Sequence, residues 1–172
     1  MPVRDLETFF PVTATPLRFL ANRGANGIDG LVSSGLGAAA AGTSRTFVLV
    51  GDLGLYHDMN GLLAIKRLGV EATLVVLENG GGAIFDFLPI ADIPDGYEQL
   101  FATPTGLDLR KVADLYELPY TRLSAHAELG DALARPGLVE VPLDRARNVE
   151  LHRELFALVA EAVSRSDALK RQ

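Results

Sequence analysis

The sequence contains no cysteine, so neither disulfide bonding nor thiolate chemistry is open to it. A reducing compartment fits that composition without being demanded by it. Histidine is scarce: His57, His126 and His152 lie far apart, and no two share a helix face at metal-ligand spacing. Basic residues are outnumbered, with 16 Lys and Arg against 22 Asp and Glu and a net charge of −6. That balance argues against a general nucleic-acid surface, since phosphate binding favours basic faces. No apolar run reaches the ~18 residues of a membrane-spanning helix. The opening MPVRDLETFF lacks the shape of a signal peptide. The expectation is a soluble, cytoplasmic chain with no membrane span and no nucleic-acid partner. Repeats, low-complexity tracts and a G-x-x-x-x-G-K-[ST] phosphate loop are also missing.

What is present is an apolar surplus. Hydrophobic residues make up 48% of the 172, and mean hydropathy is +0.20. A parallel sheet buried on both faces explains the surplus, and a large interface with another domain or subunit is the further reading. A chain of this length is most simply one domain, able to bury roughly 70% of its unfolded surface.

Periodicity and turn residues predict the order of elements. A short helix spans 3–10, and a short strand at Leu17–Leu20 leads into a loop over 22–27. Small residues from Ile28 to Ala41 predict a tightly packed, buried helix ended by Gly42. Strands follow at Thr46–Val50 and Thr73–Leu77, with a helix near 58–68 between them. Ala83–Leu88 reads as a helical turn stopped by Pro89. Residues 89–106, broken by Pro89, Pro94 and Pro104, read as a long loop. A helix over 107–117, a strand over 118–123, a helix over 125–134 and a strand over 138–142 come next. The helix over 149–163 carries an apolar stripe expected in the core, and 164–172 reads as a polar, frayed tail. Alternating strands and helices predict an α/β fold: a parallel sheet of about five or six strands with helices on both faces.

Two polar residues stand out against that frame. Asp52 follows the first buried strand, and Asn79 follows the second, 27 positions later. A strand–helix–strand crossover of that length brings both to the carboxyl edge of a parallel sheet, where open α/β sheets bind ligands. Gly80, Gly81 and Gly82 follow directly, and glycines let backbone approach a ligand closely. A carboxylate, an amide oxygen and a glycine carbonyl are hard donors suited to Mg²⁺ carrying a diphosphate. Alone, Asp52 reads as well as a cap, and Asn79 as a turn residue; their pairing carries the metal reading. A helix start near Asp58 adds N–H donors for phosphate, with Asp58 as a candidate cap. The run from Gly35 to Ala40 matches G-x-G-x-x-A, but it lies inside a helix, so close packing is the better reading. Ser33 and Ser34 read as packing residues and Asp86 as a solvated side chain. His57 follows Asp52 by five residues, where contact with a phosphate or substrate is one reading. His126 and His152 read as surface or helix positions.

With the pair in place, flanking segments become recognisable. The stretch from Asn22 to Gly30, NRGANGIDG, closely resembles a segment of the 2-succinyl-5-enolpyruvyl-6-hydroxy-3-cyclohexene-1-carboxylate synthases of menaquinone biosynthesis. Val50–Asn60 resembles their metal-binding motif, and Asn79–Pro89 their GG-x-IF…LP segment. The resemblance runs from about Arg4 to about Val141. It implies a thiamine diphosphate-binding domain of an enzyme that decarboxylates 2-oxoglutarate and adds the product carbanion to isochorismate. It implies that Asp52, Asn79 and the Gly81 carbonyl hold Mg²⁺ or Mn²⁺, and that Gly51, Leu53 and Gly54 lie in the same cofactor-binding motif. Ile28 matches the apolar wedge that bends the cofactor, Ile84, Phe85 and Leu88 match apolar cofactor and substrate neighbours, and Arg4 and Arg23 match arginines that meet substrate carboxylates.

The chain departs from the family pattern at Glu78, where Asn is common, and at Gly54 and Asn26, where Ser is common. It also resembles only the C-terminal domain. The family's catalytic glutamate belongs to a pyrimidine-binding domain of a partner subunit, so no catalytic residue is expected here. A homodimer or tetramer is implied, with the isolated chain inactive. Two other readings stay open: the corresponding domain of an acetolactate synthase or 2-oxo-acid decarboxylase, and a non-catalytic α/β assembly module.

Overall fold

The computed structural model describes residues 2–22, 26–93 and 95–170. Four strands form one parallel sheet in the order β1-β2-β4-β3. They are β1 (Phe47–Gly51), β2 (Thr73–Glu78), β3 (Tyr120–Arg122) and β4 (Gly137–Pro142). Gly51 pairs in register with Leu77, and Glu78 with Pro142. Strands β2 and β4 lie in the middle of the sheet, and their first four residues are all buried, as near-continuous apolar runs of central parallel strands are.

Alternation along the strands sorts the two faces. Val48, Val50, Leu74, Val76 and Leu138 meet Val32 and Leu36 of α2 (Leu31–Ala41), Leu55 of α3 (Asp52–Asp58), and Leu109, Val112 and Ala113 of α5 (Leu109–Leu115) in the main core. A 3₁₀ turn (Met59–Leu62) and α4 (Leu63–Leu68) complete the β1–β2 crossover. A short helix α6 (Leu129–Ala132) precedes β4. On the opposite face Leu49 and Leu77 line a groove with Pro2, Leu6 and Phe9 of α1 (Pro2–Phe9). The long helix α7 (Arg145–Lys170) joins α1 through buried His152. One ring nitrogen of His152 lies 2.8 Å from the Asn148 carbonyl and the other 3.1 Å from Asp5 Oδ1. Phe9, Phe87 and Phe156 surround the ring edge to face.

Several expectations are corrected. The sheet has four strands because Leu17–Leu20 forms none: it pairs with no sheet edge, and Leu17, Phe19 and Leu20 are exposed. Phe19 instead meets Phe10 edge to face at 5.0 Å. Helix α2 starts at Leu31, because Gly30 stands before it in the left-handed region at φ 68°. Only Val32 and Leu36 of α2 are buried, so its alanine run is not the sealed core element expected. The helix expected near 58–68 begins at Asp52, directly on the strand end. The expected long loop carries a 3₁₀ turn at Pro89–Asp92 and a π turn at Glu98–Ala102. Helix α7 starts at Arg145 and continues to Lys170. Its stripe does not all face the core, since Leu151, Phe156, Leu158, Val159 and Val163 are exposed. The G-x-G-x-x-A run does lie inside α2, where a Cβ on Gly35 would sit 2.6 Å from Val48 Cγ2.

Candidate metal and diphosphate site

Strand β1 ends at Gly51 in an extended conformation, and the chain turns at once into α3 with Asp52 as its first residue. Strand β2 ends one residue before Asn79. The strands are adjacent and parallel, so both residues lie on the carboxyl edge. Asp52 and Asn79 are 4% and 8% exposed, which places two polar side chains in a largely dry setting. Beyond them Gly80 and Gly81 take φ of 72° and 114°.

Three polar groups converge there: the Asp52 carboxylate, the Asn79 amide and the Gly81 carbonyl. The Asn79 side-chain oxygen faces only acceptors: Asp52 Oδ1 at 3.1 Å and the Gly81 carbonyl at 2.9 Å. Without a cation that arrangement is repulsive, and turning the amide over makes its N–H₂ donate to both oxygens. With a cation among them, all three oxygens serve as hard ligands. Among the described residues no group of three or more His, Cys, Asp and Glu side chains gathers at metal-binding range. A cation here therefore depends on mixed carboxylate, amide and carbonyl oxygens and on oxygens brought by a ligand.

Burial pushes the Asp52 carboxyl above its ordinary value, against backbone hydrogen bonds from Leu53 and Gly81 that lower it. The neighbouring Glu78 charge raises it further. Glu78 itself turns back to accept from the Gly80 N–H at 3.1 Å. Gly54 is buried, and a Cβ there would lie 2.9 Å from Val50 Cγ2 and 3.6 Å from Ile28 Cγ2.

The helix carrying Asp52 is fixed from its other end. Asp58 does not cap its own segment; its carboxylate accepts from the Ser33 N–H at 2.6 Å and the Ser33 hydroxyl at 2.9 Å. Gly30, the residue before α2, has no side chain to cap that helix, so Asp58 serves the α2 N-terminus from across the crossover. Ser33 is thus a hydrogen-bonding contact rather than mere packing.

Ile28, which lies beside Gly54, and Ile84 and Leu88, which follow the glycine loop in sequence, are exposed at 37%, 43% and 49%. Phe85 packs edge to face on Phe101 at 5.8 Å. Arg4 is exposed on α1, the helix whose first residue, Pro2, lies against Gly51. Arg23 lies outside the described residues. His57 is exposed on α3 beside Tyr56.

Sequence reasoning missed one cluster. Arg145, first in α7, donates to the Gly80 carbonyl at 3.1 Å, pairs with Asp86 at 3.2 Å and bonds Glu98. Asp86 also accepts from the Tyr97 hydroxyl, so it is not the solvated side chain expected. Burial, followed by this bond to Asp86, pushes the Tyr97 phenol upward. No sequence signal marked it, because the expected helix began at 149, past Arg145.

Residues 4–139 match the family described as thiamine pyrophosphate enzyme, C-terminal TPP binding domain. The chain belongs to that family. Among similar full-length proteins are 2-succinyl-5-enolpyruvyl-6-hydroxy-3-cyclohexene-1-carboxylate synthases. That of Bacillus pumilus is 44% identical over 96% of this chain and 30% of its own length. Those of Lysinibacillus sphaericus and Geobacillus kaustophilus are each 45% identical, over 91% and 96% of this chain and 28% and 30% of their own. The chain therefore spans under a third of the length of these relatives. A solved thiamine diphosphate-dependent 4-hydroxybenzoylformate decarboxylase of Rhodococcus jostii RHA1 shares the fold, at TM-score 0.55 and 23% identity over 64% of this chain and 22% of that one. Membership of the TPP-binding domain family thus joins the observed parallel α/β sheet to a cofactor class. Among the described residues no helix is long and apolar enough to cross a membrane.

Proposed function

We propose that this chain is the thiamine diphosphate- and metal-binding domain of a synthase acting on 2-oxoglutarate and isochorismate, the substrates that its family resemblance implies. The observation that carries the reading is the meeting of the Asp52 carboxylate, the Asn79 amide and the Gly81 carbonyl on one sheet edge, within 3.1 Å of one another through the amide. Such a cluster fits Mg²⁺ or Mn²⁺ completed by diphosphate oxygens. When bound, thiamine diphosphate supplies the carbon centre on which a 2-oxo acid loses carbon dioxide.

The chain's own residues bind and orient. Asp52, Asn79 and the Gly81 carbonyl would hold the cation, with Gly51, Leu53 and Gly54 in the same cofactor-binding stretch. Ile28 would support the organic part of the cofactor, and Ile84, Phe85 and Leu88 would exclude water around it. Arg4 and Arg23 meet substrate carboxylates, for which a guanidinium is suited. The proton-activating glutamate comes from a pyrimidine-binding domain of a partner subunit in a cytoplasmic homodimer or tetramer. No group in this chain takes that role, so the chain alone binds cofactor weakly and turns nothing over.

Calorimetric titration of the chain with Mg²⁺ and thiamine diphosphate tests the binding. Heat is expected from the wild type and none from Asp52→Ala. Equal heats from both would remove Asp52 from the site. Synthase activity from the chain alone would contradict the divided active site. In the complete enzyme, isochorismate preferred over simple aldehydes as acceptor is the expected specificity.

A further inference from the structure

Arg145 occupies a locally unfavourable position. It opens α7, where its charge meets the positive end of the helix dipole; the Asp144 carboxylate just before it caps that end by accepting from the Arg147 N–H at 2.8 Å, and the first turn itself holds no acidic residue. A charge kept against local preference points to a tertiary demand. That demand is visible in its acceptors, which lie on three separate segments. They are the Gly80 carbonyl in the glycine loop, Asp86 in the 3₁₀ turn Ala83–Phe87, and Glu98 in the π turn Glu98–Ala102.

Each segment bears on the converging groups. Gly80 sits between Asn79 and Gly81, so holding its carbonyl restrains the backbone that links two of the three. Glycine has no side chain to restrain those angles, and Gly80 and Gly81 both lie at positive φ. The π turn is stitched to the same loop, because the Gly82 N–H donates to the Ala102 carbonyl at 2.6 Å. Asp86 Oδ2 is buried without a hydrogen-bond donor, and the charge that offsets it is Arg145 Nε at 3.2 Å. The hydrogen bond to Glu98 holds the guanidinium more firmly protonated.

We propose that Arg145 is the positioning residue of the Asp52–Asn79–Gly81 site, clamping the glycine loop in the shape that accepts a divalent cation and diphosphate. The inference rests on reading that site as a metal and diphosphate centre. Arg145 acts through the loop and touches neither ligand. Loss of outer partners of a metal site typically weakens binding by roughly 10- to 100-fold.

The test uses the whole chain, with Mn²⁺ and inorganic pyrophosphate as the probe. Arg145→Met is expected to weaken Mn²⁺–pyrophosphate binding about 10- to 100-fold. Arg145→Lys restores it only in part, because an ammonium lacks the planar fork that reaches several acceptors. Hydrogen exchange of the metal-free chain supplies a readout that general destabilisation would not reproduce. The Gly82 amide should exchange about tenfold faster in Arg145→Met while the Val75 and Val76 amides stay protected. If Arg145→Met fails to fold, Glu98→Gln keeps the arginine and its Asp86 pair, and the same weakening in smaller measure is expected. No binding by the wild type overturns the metal reading and this inference with it. Binding by the wild type, with Arg145→Met or its substitute within twofold of it, overturns this inference alone.

Discussion

Gly81 and Ala102 stand so close that a Cβ on Gly81 would lie 2.1 Å from the Ala102 carbonyl oxygen. The obstacle is backbone, which cannot swing aside, and Gly81 also has φ 114°. Gly81→Ala should therefore cost about 2–3 kcal/mol and abolish the response to Mn²⁺–pyrophosphate. Gly80→Ala is the contrast. Its φ is 72° but nothing lies within 4 Å of the added carbon, so about 1–2 kcal/mol is expected. Chemical denaturation of the two variants measures the difference, and equal losses would refute the close-contact argument.

Asp52 gives a prediction of opposite sign with and without a cation. Burial raises its carboxyl above the ordinary carboxylate value. Its contribution to stability is therefore full below the unfolded value and declines as pH rises through the raised folded value. At neutral pH the ionised, desolvated group opposes folding of the metal-free chain. Asp52→Asn should raise the metal-free melting temperature at pH 7 and flatten its dependence on mildly acid pH. The same variant should lose the stabilisation that Mn²⁺ and pyrophosphate confer on the wild type. In the wild type, cation affinity should fall as pH drops through the raised value, because proton and cation compete for one carboxylate. Thermal melts across pH, with and without Mn²⁺, read all three effects.

Ile28, proposed as a cofactor contact, allows binding to be tested apart from folding. The side chain is 37% exposed, so truncation to Ala should cost about 1 kcal/mol or less. A wedge under the organic part of the cofactor has no contact with inorganic pyrophosphate. Ile28→Ala should weaken thiamine diphosphate binding severalfold and leave Mn²⁺–pyrophosphate binding unchanged. Parallel losses for both ligands would place Ile28 in the folding scaffold instead.

Asp58 caps a helix it does not belong to. Removing its bonds to the Ser33 N–H and hydroxyl exposes the α2 N-terminus, so Asp58→Ala should cost about 1–2 kcal/mol. Asp58→Asn keeps one accepting oxygen and should lose less. Equal melting temperatures for wild type and Asp58→Ala would show that water caps α2 as well as the carboxylate does.

Gly35 sets two local effects against each other. Alanine is the better helix former by roughly 1 kcal/mol, but a Cβ would lie 2.6 Å from Val48 Cγ2. Overpacking of a core contact costs about 1–3 kcal/mol, so Gly35→Ala should be net destabilising by equilibrium unfolding.

The strand–helix–strand crossover from Phe47 to Glu78 was legible in the sequence because buried parallel strands are continuous apolar runs, and because Gly51-Asp52 and Asn79-Gly80 punctuate their ends. The spacing of Asp52 and Asn79 was enough to place both on one edge, since parallel pairing leaves a right-handed crossover little choice. Leu17–Leu20 misled because β-propensity makes no strand without an edge to pair with. The apolar stripe of α7 misled because periodicity states which residues share a face, not whether anything covers it. Arg145 was invisible for a related reason. Its acceptors Gly80, Asp86 and Glu98 are brought together by folding alone, and no spacing along the chain predicts that one guanidinium will bridge all three. Local order and strand ends follow from short-range sterics and burial, which the sequence carries by itself. Which acceptor meets which donor across the carboxyl edge is a property of long-range packing, and only the tertiary structure decides it.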